Sequence, residues 1–150
     1  MPQSLSQIVV QAVFSTKDRI PNLEAHMRPE LYAYITTILR EGKHTPIMIG
    51  GHDDHVHLLI GLSRTETVAK MIEYTKVSTS KWLKTTGRNR ESFAWQRGYA
   101  AFGVSYSSVN QAIAYIANQE EHHKKESFQD EYRRLMEENG IVIDERYVWD

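Results

Sequence analysis

The order of apolar and polar positions divides the chain into alternating extended and helical stretches. "LSQIVVQAVFS", residues 5–15, is rich in β-branched residues and reads as a strand. "KDRIPN" follows as a loop broken by Pro21 and Asn22. Leu31, Ile35 and Ile38 recur at helical spacing and predict a helix from about Pro29 to Arg40, with Pro29 tolerated in the first turn and Gly42 ending it. "TPIMIGG" and "HVHLLIGL" read as short strands that form a hairpin around a "GGHDD" turn. Ser63 or Thr65 can cap a second helix, whose apolar positions are Val68, Met71, Ile72, Thr75, Trp82 and Leu83. "TTGRNRES" is a polar loop, and "YAAFGVS" (99–105) reads as a fourth strand. "SSVNQAIAYIANQEEHH" is a helix with a serine cap. Ser127 and Asp130 form a capping box for a last helix that Gly140 stops, and "IVIDERYVWD" is an extended tail.

Strand, helix, strand, strand, helix, strand, helix is the order of a split βαβ, ferredoxin-like α+β domain. It predicts a four-stranded antiparallel sheet with helices on one face, plus a C-terminal helix and extended tail. The chain shows no internal repeat. Residues 1–123 read as the body of one domain and 124–150 as its C-terminal helical and extended appendage.

Composition narrows the function classes. The 150 residues suffice for one sizeable core, and 41% hydrophobic with 25% charged content is that of a globular domain. No apolar run approaches the ~18 residues of a membrane span, and "MPQSLSQIVV" lacks the features of a signal peptide. The absence of cysteine excludes thiol catalysis, disulfides and cysteine-based zinc sites, and fits a cytoplasmic location. The net charge of −1 hides a strong asymmetry. Residues 64–97 carry eight Lys/Arg against three Asp/Glu, whereas residues 120–150 carry five against ten. A basic middle is masked by an acidic end, and a basic stripe is the first mark of a nucleic-acid partner.

In a strand, residues two apart share a face. His55, His57 and Leu59 therefore lie on one face, and Val56, Leu58 and Ile60 on the other, the helix-covered core. Two imidazoles side by side can hold one divalent ion, whether zinc, copper, iron, nickel, manganese or magnesium; two unrelated polar residues at a strand entrance are the competing reading. A metal needs a further ligand from elsewhere. His52, Asp53 and Asp54 lie in the turn and any of them could reach the metal, but an Asp-Asp turn next to Gly51 is more often plain turn chemistry. On the helix at 108–122, Val109, Ile113 and Ile116 cluster toward the core, while Tyr115, Gln119, Gln111, Asn118 and His122 cluster on another side. Tyr115 and Gln119 are one turn apart on the same face, so they offer a nucleophile and a third ligand; an exposed tyrosine on an amphipathic helix is the alternative. A phenol with a pKa of about 10 is a weak nucleophile at neutral pH. A Lewis acid held by His55, His57 and Gln119 would polarise a phosphodiester for attack, leaving a covalent phosphotyrosine and a free 3′-hydroxyl.

"HVHLL" on a strand, "WQRGY" before the fourth strand, "YIANQEEHH" on the helix after it and the opening "VQAVFSTKDRIP" together resemble the HUH single-tyrosine transposases. These include small insertion-sequence transposases and REP-associated tyrosine transposases. The similarity runs to about residue 123, which makes 1–123 the catalytic domain by resemblance. It implies an RRM-like fold and a homodimer. It also implies DNA transposition by cleavage and rejoining of single-stranded DNA through a 5′-phosphotyrosine, with Mg2+ or Mn2+. His55 and His57 match the two HUH histidines, Tyr115 the nucleophile and Gln119 the helix-borne metal ligand. In some relatives the tyrosine serves the partner subunit's histidines, so Tyr115 acting in trans is part of this expectation. Relatives recognise hairpins at element ends; here the expected DNA surface comprises Lys17, Arg19, Lys81, Lys84, Arg88, Arg90, Trp95 and Arg97. Two departures stand out. The overall charge is near neutral, and Ala100 follows "WQRGY" where some REP-associated members carry an acidic or histidine side chain. A non-catalytic or domesticated single-stranded nucleic-acid-binding module of the same fold is the alternative function. A histidine-triad hydrolase fits poorly, since Asp53 stands where a third alternating histidine would be.

Overall fold

β1 (Val9–Ser15) has all seven residues buried, which requires a neighbour on each edge and a layer on each face. The computed structural model, which describes residues 2–86 and 92–150, supplies both. Four antiparallel strands run in the order β2-β3-β1-β4, with β2 at Thr45–Gly51, β3 at His55–Gly61 and β4 at Ala100–Val104. The arrangement is ferredoxin-like, as the element order predicts.

One face of the sheet presents Val10, Ala12, Phe14, Val56, Leu58 and Ile60 to α1 (Arg28–Glu41) and α2 (Val68–Thr86). Leu31, Ile35 and Leu39 from α1 and Met71, Ile72 and Leu83 from α2 fill this core. The expectation of helices on one face is met by α1 and α2 alone: the opposite face is also covered, by the C-terminal half of the chain, because its apolar residues Val9, Val13 and Leu59 need a second layer. Val9 and Leu59 meet Ile116 of α3 (Val109–Ala117), while Val13 and Ala100 meet Phe128, Tyr132, Leu135 and Met136 of α5 (Phe128–Glu138). Full burial of each such side chain is worth about 1.5–3 kcal/mol, so α5 is anchored as firmly as a core helix.

Local details differ from the pattern-based reading. β1 begins at Val9, because its last register pairs are Val9 with Gly61 and Val9 with Val104; Leu5 is left 82% exposed. α2 is capped by Thr67, whose Oγ1 accepts from the Lys70 N–H at 3.1 Å, rather than by Ser63 or Thr65. The helix expected through residue 123 leaves helical geometry at Asn118 (φ −99°, ψ 21°), and α4 (Gln119–His122) follows as a separate turn. Ser127 caps α5 as expected, accepting from the Asp130 N–H at 3.1 Å. The tail turns back at Asp144, whose carbonyl accepts from Tyr147 and Val148, and the Gly98 N–H donates to the Asp150 carbonyl at 3.0 Å. No helix among the described residues is long and apolar enough to cross a membrane.

Candidate active site

β3 places His55 and His57 on the sheet face away from α1 and α2, as strand alternation requires, and neither has any exposed surface. Their rings are 5.2 Å apart between centroids. Each is backed by a polar group on its outer nitrogen. The Asp54 carboxylate lies 2.7 Å from His55 Nδ1, and the Gln11 amide nitrogen, from the neighbouring strand, lies 3.2 Å from His57 Nδ1. The Asp-Asp turn therefore has a use: Asp54 orients His55.

α3 and α4 bring the other two expected residues to the same place. Gln119 is 1% exposed, and its Oε1 is 2.9 Å from His55 Nε2. Tyr115, one turn earlier and half-buried, has its ring 5.8 Å from that of His57 in the same chain. The four residues expected to act together converge within one protomer.

A fifth residue stands at the centre. Glu131 of α5 is fully buried. Its Oε1 is 3.2 Å from His57 Nε2 and 3.4 Å from His55 Nε2. Its Oε2 accepts from the Gln119 amide at 3.1 Å and from the Tyr115 hydroxyl. Arg134, one turn further along α5, donates to the Tyr115 oxygen at 2.9 Å and is itself held by Glu126 at 3.0 Å. Sequence reasoning passed over Glu131 as part of an acidic end. The signal was present: the buried positions of α5 are Phe128, Glu131, Tyr132, Leu135 and Met136, an i, i+3, i+4, i+7, i+8 stripe with one carboxylate in it. A charge on an apolar stripe is stable only when paired.

The electrostatics follow from that pairing. Burial works to lower His55, but Asp54 and Glu131 outweigh it and hold His55 up at about 9. Burial dominates at His57 and moves it below the ordinary imidazole value. Burial works to raise Glu131, yet the histidines around it, with His123 foremost, hold its carboxyl well below the usual range. Burial, reinforced by the Glu131 charge, pushes Tyr115 up against the opposing pull of Arg134.

The expected DNA-contacting residues separate into groups. Lys81, Lys84 and Arg97 are exposed and line a groove beside α2 with Lys76, Phe93 and Tyr99. Lys76 is partly consumed by structure: its ammonium donates to the carbonyls of Gln96 at 2.8 Å and Gly98 at 2.6 Å, and burial lowers it to about 8. Lys17 is exposed near Arg97, whereas Arg19 lies over the Trp149 ring at 5.5 Å. Trp95 is a correction. It is only 7% exposed, packs edge-on to Phe14 and Phe93, and donates its indole N–H to Thr79 at 2.9 Å. It is a core residue with no face free to stack on a base. Arg88 and Arg90 lie outside the described residues.

A sequence profile for IS200-like transposases matches residues 4–119. The chain belongs to the IS200-like transposase family. A search of curated proteins gives no significant match to this family member. Among solved structures it is similar to a candidate transposase from Deinococcus radiodurans R1, at 19% identity and a TM-score of 0.59, covering 79% of this chain and 98% of that one. It is also similar to a REP-associated tyrosine transposase bound to a REP hairpin, at 11% identity and a TM-score of 0.61, covering 82% of this chain and 72% of that one. At these identities the likeness concerns the fold. The family suggests a divalent metal, and the donor set fits one: one ligand atom from each of His55, His57 and Glu131 lies within 4.8 Å of the others, all three residues are buried, and the Gln119 carbonyl oxygen adjoins them.

Proposed function

We propose that this family member is a DNA strand transferase that cleaves and rejoins single-stranded DNA, with Tyr115 as the nucleophile. The observation that carries the reading is the bridge made by Glu131, which touches the Tyr115 hydroxyl with one oxygen and the two histidines with the other. His55, His57, Gln119 and Glu131 would hold a divalent ion, Mg2+ or Mn2+, which when bound neutralises and polarises the scissile phosphate.

The remaining chemistry falls to the chain's own groups. The Tyr115 oxygen attacks phosphorus and forms the Tyr–O–P bond, while the P–O3′ bond breaks and the departing 3′-oxygen takes up a proton. The phenol proton has an acceptor already in contact, Glu131 Oε2. The Arg134 guanidinium, 2.9 Å from the phenol oxygen, offsets the charge that develops there. Rejoining is the reverse: a 3′-hydroxyl attacks the phosphotyrosine, and Tyr115 leaves and regains its proton. The phosphodiester energy is kept in the covalent bond, so no nucleotide cofactor is needed.

The groove carrying Lys81, Lys84 and Arg97 is the proposed path of the DNA backbone, with Lys17 in the adjoining hollow that shares Arg97. Hairpins at element ends are the proposed substrate, in keeping with the hairpin bound by the REP-associated relative. A homodimer is part of the same proposal. Tyr115 meets its own chain's histidines here, and mixed dimers of Tyr115→Phe and His57→Ala chains report whether cleavage also runs in trans.

The decisive experiment mixes the protein with labelled single-stranded hairpin DNA, including the ends of its host element, and Mn2+ or Mg2+, and resolves the products on a denaturing gel. A covalent protein–DNA band is expected, lost in Tyr115→Phe and in His57→Ala. Binding without an adduct in the wild type would select the non-catalytic module instead.

A further inference from the structure

His123 lies just past α4, beyond the segment matched by the family profile, and its side chain is 4% exposed. Its Nδ1 is 2.8 Å from the carbonyl oxygen of Glu126. A carbonyl can only accept, so Nδ1 carries a proton and Nε2 is the nitrogen turned inward. That Nε2 is 2.9 Å from Gln119 Oε1 and 3.1 Å from Glu131 Oε1. His55 is built the same way: its Nδ1 is against Asp54, and its Nε2 is 2.9 Å and 3.4 Å from the same two oxygens. With His57 at 3.2 Å, three Nε2 atoms from β3 and the segment after α4 converge on a single carboxylate oxygen.

The outer contacts of His55 and His123 are those of metal-binding histidines, in which a carboxylate or carbonyl on the far nitrogen sets the tautomer and aims the other nitrogen. Packing fixes the His123 ring further, with the His52 ring stacked on it at 5.4 Å and the His55 ring edge-on at 4.5 Å. His55, His57 and Glu131 each offer a ligand atom within 4.8 Å of the others, and His123 Nε2 adjoins that set through Glu131 Oε1 and Gln119 Oε1.

We propose that His123 is a third imidazole ligand of the divalent ion, beside His55, His57 and Glu131, and that the site therefore selects a nitrogen-accepting ion such as Zn2+ or Mn2+ over Mg2+. The inference rests on the reading of His55 and His57 as metal ligands. Its basis is donor chemistry: imidazole suits zinc and the later transition metals, whereas magnesium favours an oxygen shell and keeps its waters.

The test uses the 150-residue chain labelled with 15N-histidine, stripped with chelator and titrated with Zn2+, observed by long-range 1H–15N correlation. Of the seven histidines, three are expected to show a metal-bound Nε2 resonance, and His123→Ala is expected to remove one of the three. Calorimetric titrations should show the preference for Zn2+ over Mg2+ falling at least about tenfold in His123→Ala. The count in the wild type needs no variant, so a folding defect in His123→Ala leaves the test intact. A count of two, both assigned to His55 and His57, overturns the inference and leaves the metal reading standing. No metal-bound resonance from His55 or His57 overturns both.

Discussion

Gly50 is where the sheet and the tyrosine helix come closest. A β-carbon there would lie 2.7 Å from both Ile116 Cγ2 and the Ile116 carbonyl oxygen, whereas ordinary contact begins at 3.4 Å. The methyl group can rotate away, but the carbonyl belongs to the backbone of α3 and moves only with the helix. Gly50→Ala therefore has to lift α3 from β2 by about 0.7 Å, and overpacking of this kind costs about 1–3 kcal/mol. The same contact sets the site, because Gly50 pairs with His57 across the β2–β3 ladder and Ile116 is next to Tyr115. A shift approaching 1 Å can cost a well-aligned reaction about 100-fold. Urea unfolding should give a lower midpoint with an unchanged slope, and the rate of covalent adduct formation should fall far more than hairpin affinity. Gly103→Ala is the control. Its β-carbon would meet no described atom within 4 Å, so its stability should stay within about 1 kcal/mol of wild type. If Gly50→Ala is as stable as Gly103→Ala and forms adduct at the wild-type rate, close packing of α3 on β2 does not position Tyr115.

Further outcomes follow from the site and the groove. His55 is held at about 9, above the ordinary imidazole value, so its contribution to the stability of chelator-treated protein is complete below about pH 6.5 and is lost as pH rises through about 9. Unfolding midpoints should fall across that window in the wild type and fall less in Glu131→Gln; a flat wild-type profile would contradict the ion-pair account. Trp95→Ala should cost about 3–5 kcal/mol as a core deletion, with DNA affinity of the folded protein unchanged in a filter-binding assay. Lys81→Ala with Lys84→Ala should weaken binding to all DNA sequences alike and reduce the slope of log affinity against log salt by about 1.4–1.8.

The backbone elements were legible in the chain because their signals are local. Alternation put His55 and His57 on one face, helical spacing marked Leu31, Ile35 and Ile38, and Ser127 announced α5. The wheel of the tyrosine helix set Tyr115 and Gln119 one turn apart, and the resemblance to HUH transposases joined them to the histidine pair. Trp95 shows the limit of that reading: "FAWQR" mixes aromatic and basic residues as a DNA surface does, yet packing between Phe14 and Phe93 makes its indole part of the core.

Glu131 and His123 show what only the tertiary structure decided. The periodicity of α5 marks Glu131 as a charge on a buried stripe, but its partner His57 is 74 residues away in the sequence, and nothing along the helix says which sheet face it covers. Periodicity is set by neighbours along the chain. A buried charge is stabilised by what docking places opposite it, and here docking placed four imidazoles and a phenol around one carboxylate.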